Sequence, residues 1–362
     1  MTNFFEIDFL DVESPKSGDA VTIRYCINGN STIHVVDGGY GDTGDKIVDY
    51  INKHYDSPVY VDRVVVTHPD GDHAAGLKTV LEKFTVGELW MLRPWLYADE
   101  LIDRFSRFTS VENLKARLKE LYPSLAALEE IADEQGIAIS EPFQGAKIGE
   151  FTVLAPSKAR YLDLIVDSER TPEAVQESSA LDELFKGILD VAKKVVAFVK
   201  GAWGDEIFSS NETSAENEMS VVQYAILHGH RILLTGDVGR GGLTEAADFA
   251  PMAGFAIPGV DRFQVPHHGS RRNVSTEVLD RWLGKRLDQM PEKGKELFTA
   301  IISAAKMDEH HPRNSVVRAM IHRGGKVITT EDGDKRTGHN APKREGWIAV
   351  EPLVYPEEQE EA

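Results

Sequence analysis

Two imidazoles and two carboxylates fall within six residues at His68-Pro69-Asp70-Gly71-Asp72-His73. Crowded into one small volume, such a set repels itself and leaves buried polar atoms without partners unless a cation sits among them. With one or two divalent ions it becomes a coordination shell, His supplying nitrogen and Asp supplying oxygen. The chemistry this allows is hydrolytic, because a bound ion lowers the pKa of water from about 16 toward ~7 and provides hydroxide at neutral pH. Taken alone, the stretch also reads as a polar surface turn, so the surrounding elements decide between the two.

The stretch follows the strand-like run Val61-Asp62-Arg63-Val64-Val65-Val66 and precedes the small-residue turn Ala74-Ala75-Gly76. Its side chains therefore project from the end of a strand. Residues 4–10, 21–27, 32–37 and 61–67 read as short strands separated by Gly, Asn, Asp and Ser turns. Asp37-Gly38-Gly39 closes the third strand. Glycine there lets the backbone approach a site closely. Asp37 is placed to brace a metal-bound His, an ordinary Asp-Gly turn being the other reading.

Gly44 to Tyr55 reads as a helix with Ile47, Val48 and Ile51 on one face, and Glu88–Leu92 reads as a further strand. From about 96 to 136 the spacing of Leu101, Phe105 and Phe108, of Leu114, Leu118 and Leu121, and of Leu125, Leu128 and Ile131 predicts core-facing helices. Phe151–Leu154 returns to strand. The block 168–200, rich in Leu181, Phe185, Ile188 and Val195, is expected to be a second helical insertion, and 201–216 a polar loop. Met219–Leu227 and Arg231–Leu234 predict a hairpin whose turn exposes His228 and His230. Strands near 262–265, 299–304 and 326–329 then alternate with helices near 275–289 and 313–323, with no residue-level repeat. Residues 1–350 are expected to form a single domain, and the acidic C-terminal tail 351–362 reads as mobile.

Composition bounds the function. A chain of 362 residues, 41% hydrophobic and 27% charged, reads as soluble and globular with ample core. The N-terminus is acidic and lacks the basic segment of a signal peptide, and no apolar run reaches a membrane span. One cysteine, Cys26, excludes an internal disulfide and fits a cytoplasmic setting. The formal charge of −19 disfavours non-specific binding to duplex DNA. A local cluster of cations still leaves room for a small anionic substrate.

The pattern His68-x-Asp70-x-Asp72-His73 resembles the signature of metallo-β-lactamase-fold hydrolases, with Asp70 in place of a His, and is similar to the hydrolase domain of competence DNA-uptake (ComEC-type) proteins. Asn217-Glu218-Met219-Ser220, Leu233-Leu234-Thr235-Gly236-Asp237 and Val265-Pro266-His267-His268-Gly269-Ser270 agree in order, as does Val35-Val36-Asp37-Gly38-Gly39. The resemblance implies an α/β fold, a metallo-β-lactamase-like αββα sandwich with helical insertions. It implies a first metal position met by His68, Asp70 and a bridging Asp237, and a second met by Asp72, His73, Asp237 and one of His267 and His268. Sequence does not separate that pair. His267, directly after the strand, is taken as the ligand, and His268 as a group that orients substrate or donates a proton. Asp72, Asp237, His268 and His311 are thus the candidate catalytic residues, and Asn217, Ser220, Ser270, Arg271 and Arg272 the candidate substrate contacts. The Asn217–Ser220 motif stands where many relatives bring a third His, so the first position is oxygen-rich, which favours Mn²⁺ relative to a three-His site; Zn²⁺ and Mn²⁺ both stay open.

The leading expectation is a metal-dependent hydrolase using metal-bound hydroxide on a phosphodiester, as a nuclease or nucleotide phosphodiesterase. Hydrolysis of a small ester, lactone or amide is the enzymatic alternative. A catalytically idle binding or regulatory module is the alternative of another class. Substrate identity and oligomeric state are not written in the sequence.

Overall fold

The computed structural model describes residues 3–12, 14–171 and 197–361. Two seven-stranded sheets stack face to face. The first holds β1 (Phe4–Phe9), β2 (Ala20–Ile27), β3 (Asn30–Gly38), β4 (Tyr60–Val65), β5 (Thr85–Trp90), β6 (Ala138–Ser140) and β15 (Lys335–His339), in the order β15-β1-β2-β3-β4-β5-β6. The second holds β7 (Lys147–Ile148), β8 (Phe151–Ala155), β10 (Val222–Leu227), β11 (His230–Leu234), β12 (Arg262–Gln264), β13 (Phe298–Ile302) and β14 (Gly325–Thr329), in the order β14-β13-β12-β11-β10-β8-β7. Each sheet begins with antiparallel pairs and continues in parallel ones: β3 with β4, β4 with β5 and β5 with β6 in one, β11 with β12, β12 with β13 and β13 with β14 in the other. The two halves thus share an architecture that their residues do not advertise.

Three apolar layers follow from this stacking. Phe5, Ile7, Phe9, Val21, Ile23 and Val65 meet Phe151, Val153, Ala225, Ile232, Leu234 and Ile301 between the sheets. The outer face of the first sheet packs on helices through Ile47, Ile51, Leu77, Leu81, Leu114, Leu118 and Leu128. The outer face of the second packs through Leu243, Val278, Leu279, Trp282, Val316 and Met320. Helices Val111–Leu121 and Pro123–Gln135 lie where the leucine spacing puts them, their buried residues being Leu114, Leu118, Leu125 and Leu128 among others. This is a mixed α/β sandwich, helix on sheet on sheet on helix.

Two expectations are corrected. The expected helical block 168–200 lies largely outside the described residues, but its last residues are extended. Phe198–Lys200 form β9, which pairs antiparallel with β16 (Glu358–Glu360). The acidic tail is therefore docked, not loose. Glu360 accepts hydrogen bonds from Asn314 N and Ser315 N at the start of helix Asn314–His322. Gln359 is buried and accepts from Ile207 N, and Arg318 donates to the Pro356 carbonyl. Carboxylates that look like solvated charge in sequence here satisfy helix N–H groups that have no partner within their own helix. No helix among the described residues is long and apolar enough to cross a membrane.

Candidate metal centre

The parallel strands of both sheets deliver their C-terminal ends to one place, the usual location of sites in such sheets. β3 carries Asp37 as its penultimate residue and β4 leads into Thr67–His73, while β11 leads into Asp237 and β12 into His267-His268. Backbone hydrogen bonds lock these loops together: Gly39 N to Asp19 O, Asp19 N to Asp72 O, Val221 N to Thr67 O, and His267 N to Gly236 O. Gly236 has a φ of +50°, and a Cβ there would lie 2.8 Å from Thr67 Oγ1. Only glycine brings the two sheets' loops this close. Asp37, His267 and His268 also take left-handed backbone, with φ of 57°, 47° and 55°, a conformation uncommon outside glycine that the surrounding bonds must hold.

Asp237 is the hub. Its carboxylate faces His73 Nε2 at 3.4 Å, His267 Nε2 and His268 Nε2 each at 3.8 Å, and His68 Nε2 at 3.9 Å. The backbone beneath it is held by Ser220 Oγ, which accepts from Asp237 N, and by Asn273 Nδ2, which donates to Asp237 O.

The outer nitrogens of the histidines explain how the inner ones point. His73 Nδ1 lies 2.8 Å from Asp37 Oδ2, and His268 Nδ1 lies 2.9 Å from Ser303 O. Both partners only accept, so each Nδ1 carries the proton. Thr67 Oγ1 donates to Asp37 and therefore accepts from His68 Nδ1 at 3.0 Å. Three histidines are thus held with Nε2 toward Asp237. His68 Nε2, His73 Nε2, His268 Nε2, Asp237 Oδ1 and Asp19 Oδ1 are all buried without a hydrogen-bond partner. Five such atoms converging on one spot are what a divalent cation would satisfy, and the donor set fits one. Asp72, His73 and His268 offer ligand atoms within 4.8 Å of one another, as do Asp19, Asp237 and His268.

Electrostatics agree with a site built for positive charge. Burial opposes ionisation of Asp237, but His73, His267 and His268 hold its carboxyl well below the usual range. Burial likewise disfavours a charged His73, yet Asp237 and Asp37 raise its pKa well above the ordinary value. Burial pushes the Asp19 carboxyl up to about 7, with His73 opposing and Asp237 adding to the rise. Burial lowers His268 to about 3 against the pull of Asp237.

His267 differs from its neighbour. Its Nδ1 receives Asn217 Nδ2 at 2.8 Å, so the proton sits on Nε2, facing the site. Burial lowers its pKa. The expectation that His267 ligates while His268 handles protons is therefore the reverse of what these bonds favour. Strand proximity suggested His267, but the ring whose Nδ1 rests on a carbonyl is His268.

The other predicted residues fall as follows. Asp70 lies at the rim, its Oδ2 3.7 Å from His68 Nε2 and its Oδ1 2.6 Å from Arg170 Nη2. His311 stacks on His267 with centroids 5.6 Å apart, and its Nδ1 lies 3.1 Å from Asp308 Oδ2. Asn217 and Ser220 face His267 and Asp237 N, so they position site residues. Between them Glu218 accepts from Gly241 N and Gly242 N at the start of the helix that follows Asp237. Ser270 is buried and accepts from Arg272 N. Arg271 donates to the Glu361 carbonyl, while Arg272 is exposed.

Sequence reasoning missed three residues. Asp19 sits in what reads as a turn, Ser17-Gly18-Asp19, with no local mark of a ligand. Gln264 bridges the sheets, accepting from Thr235 N and donating to Asp19 Oδ2. Arg170 falls in the expected helical insertion, where no neighbouring residue marks it, although its partner Asp70 stands in the motif.

No curated protein matches the chain. Among solved structures, the metallo-beta-lactamase fold protein YhfI from Bacillus subtilis is 11% identical with a TM-score of 0.41, covering 92% of this chain and 100% of its own. AbOPH, a hydrolase in the beta lactamase superfamily, is 10% identical with a TM-score of 0.28, covering 60% of this chain and 56% of its own. CmlA, a diiron beta-hydroxylase from Streptomyces venezuelae, is 12% identical with a TM-score of 0.32, covering 91% and 44%. This chain thus spans about half the length of the latter two. Residues 15–118, which hold Asp19, Asp37 and the whole Thr67–His73 loop, match the Metallo-beta-lactamase superfamily, and the two-sheet, helix-flanked architecture is consistent with that fold.

Proposed function

We propose that this chain is a metal-dependent hydrolase acting on a phosphodiester, as a nuclease or nucleotide phosphodiesterase. The observation that carries the hydrolase reading is the convergence of partnerless Nε2 and carboxylate atoms on one buried point. In this reading Asp72, His73, Asp237 and His268 hold a divalent ion, Zn²⁺ or Mn²⁺, with Asp19 and His68 beside them. The ion, when bound, activates water and stabilises the negative charge that develops on the substrate.

The chain's own groups do the rest. Asp37 fixes the His73 tautomer and leaves Nε2 free. Asn217 fixes the proton on His267 Nε2, which can donate a hydrogen bond to the negative charge developing on a departing oxygen. His311, stacked on His267 and anchored by Asp308, orients that ring.

The substrate class rests on charge. Arg271, Arg272 and Arg313 gather on the loop and helix start beside His267 and His311; burial lowers the Arg313 pKa, Glu360 and Asp308 oppose the fall, and Arg271 and Arg272 add to it. On a chain of formal charge −19, three arginines at one rim support an anionic substrate. The test is metal analysis of purified protein, coupled to phosphodiester and neutral-ester substrates with Mn²⁺ and Zn²⁺ added separately. Metal-dependent turnover of phosphodiesters is expected. Turnover of neutral esters alone would reject the substrate class, and a protein that binds neither ion would reject the hydrolase reading.

A further inference from the structure

Asp70 belongs to the metal-like motif but is engaged by a fixed cation. Its Oδ1 accepts from Arg170 Nη2 at 2.6 Å. The same guanidinium reaches Glu216, with Nε 3.7 Å from Oε1. Glu216 is buried and accepts from Ser168 Oγ, and that hydroxyl also accepts from Arg170 N. Arg170 is thereby held between the carboxylate of the first-position motif and the residue just before Asn217, the stretch that stands where the resemblance would bring a third His. A guanidinium is permanently charged and presents a fixed fork of donors, so on Asp70 it offsets the carboxylate's charge and occupies Oδ1, leaving Oδ2 toward His68.

We infer that the centre holds a single divalent ion, at Asp72, His73, Asp237 and His268, and that Arg170 occupies the place of a second cation at Asp70. This rests on the proposed metal-dependent reading and narrows it. An ion at the first position would have to use Asp70 Oδ2 and His68 Nε2 beside a guanidinium already bonded to the same carboxylate. Like charges there repel one another, whereas the Asp237 carboxylate is faced by the imidazoles of His68, His73, His267 and His268 at 3.4–3.9 Å. The arrangement leaves one metal beside Asp237 and one organic cation on Asp70, with His68 Nε2 3.9 Å from the first carboxylate and 3.7 Å from the second, so one of the two positive charges is built into the chain.

Titration with Zn²⁺ or Mn²⁺ alone, read as ions bound per chain by elemental analysis and calorimetry, tests this without any substrate. Wild-type protein should bind one ion. Arg170→Ala should bind two, the second at least tenfold more weakly. Asp70→Ala should keep the single ion with affinity within about threefold of wild type, and it serves if Arg170→Ala folds poorly. Two ions on the wild-type chain would overturn the inference while leaving the hydrolase reading intact. A single ion on Arg170→Ala, or loss of the ion in Asp70→Ala, would also overturn it. No ion on any form would remove the metal-dependent reading itself.

Discussion

Asp37 Oδ2 lies 2.8 Å from His73 Nδ1, and the same carboxylate accepts from both the backbone N and the hydroxyl of Thr67. One side chain at the end of β3 therefore sets the ring orientation of His73 directly and of His68 through Thr67. Asp37→Asn should weaken metal binding about 10- to 100-fold with the fold retained, because the tautomer lock is lost. Competition against a chelator measures this, and an unchanged affinity would remove Asp37 from the metal's support.

The two adjacent histidines should separate cleanly. His268→Ala should lose the ion and turnover together, as should Asp72→Ala and His73→Ala. His267→Ala should keep the ion and lose turnover about 10²-fold or more, in line with a hydrogen-bond donor to developing negative charge. Metal retention measured beside kcat decides the pair, and ion loss only in His267→Ala would reverse the assignment.

Substrate charge has its own test. Arg271 is engaged by the Glu361 carbonyl, so Arg272 and Arg313 are the better pair to remove. Replacing both with Ala should raise KM for a phosphodiester about fivefold and flatten the salt dependence of kcat/KM, with neutral-ester turnover unchanged. Equal losses on both substrates would mark a structural role instead.

The pH dependence of stability should carry a signature of His34, buried on β3 beside Tyr25 and Phe151. Burial, helped by Arg63, lowers its pKa to about 3 in the folded chain. The unfolded chain, near 6.5, binds the extra proton first. His34 therefore contributes stability that is present above pH ~6.5 and is lost as pH falls toward 3, by up to about 1.4 kcal/mol per pH unit. His34→Gln should have a shallower slope between pH 6.5 and 4 in urea unfolding, and an identical slope would mean that other groups set it.

Docking of the C-terminal segment predicts a further cost. Glu360 accepts from two backbone donors at the start of helix Asn314–His322. Glu360→Ala should lower stability by about 1–2 kcal/mol, seen as a shifted unfolding midpoint. A freely moving tail would give no shift.

Strands were legible because their signals are local: the Val61–Val66 run and the Gly-Asp turns need no partner to be read. The motif at His68–His73 was legible for the same reason, since its residues are neighbours in the chain. Asp19 was not, because its meaning comes from Gln264 on β12 and His73 on the short helix Gly71–Ala74, both distant in sequence. Nor was the order of His267 and His268, which depends on whether a ring nitrogen meets Asn217 or the Ser303 carbonyl. The tail misled for a related reason. A run of glutamates reads as solvated charge until a helix start packs against one of them.

The Nε2 atoms of His73 and His268 converge on Asp237, although the first sheet supplies one and the second sheet the other. Neither half of the chain can assemble the centre by itself. In the proposed reading, ion affinity is consequently a gauge of how firmly the two sheets are seated on each other. Trimming the contact layer at Phe5 or Phe151, remote from every ligand in sequence, should register as weakened metal binding while each sheet is still folded.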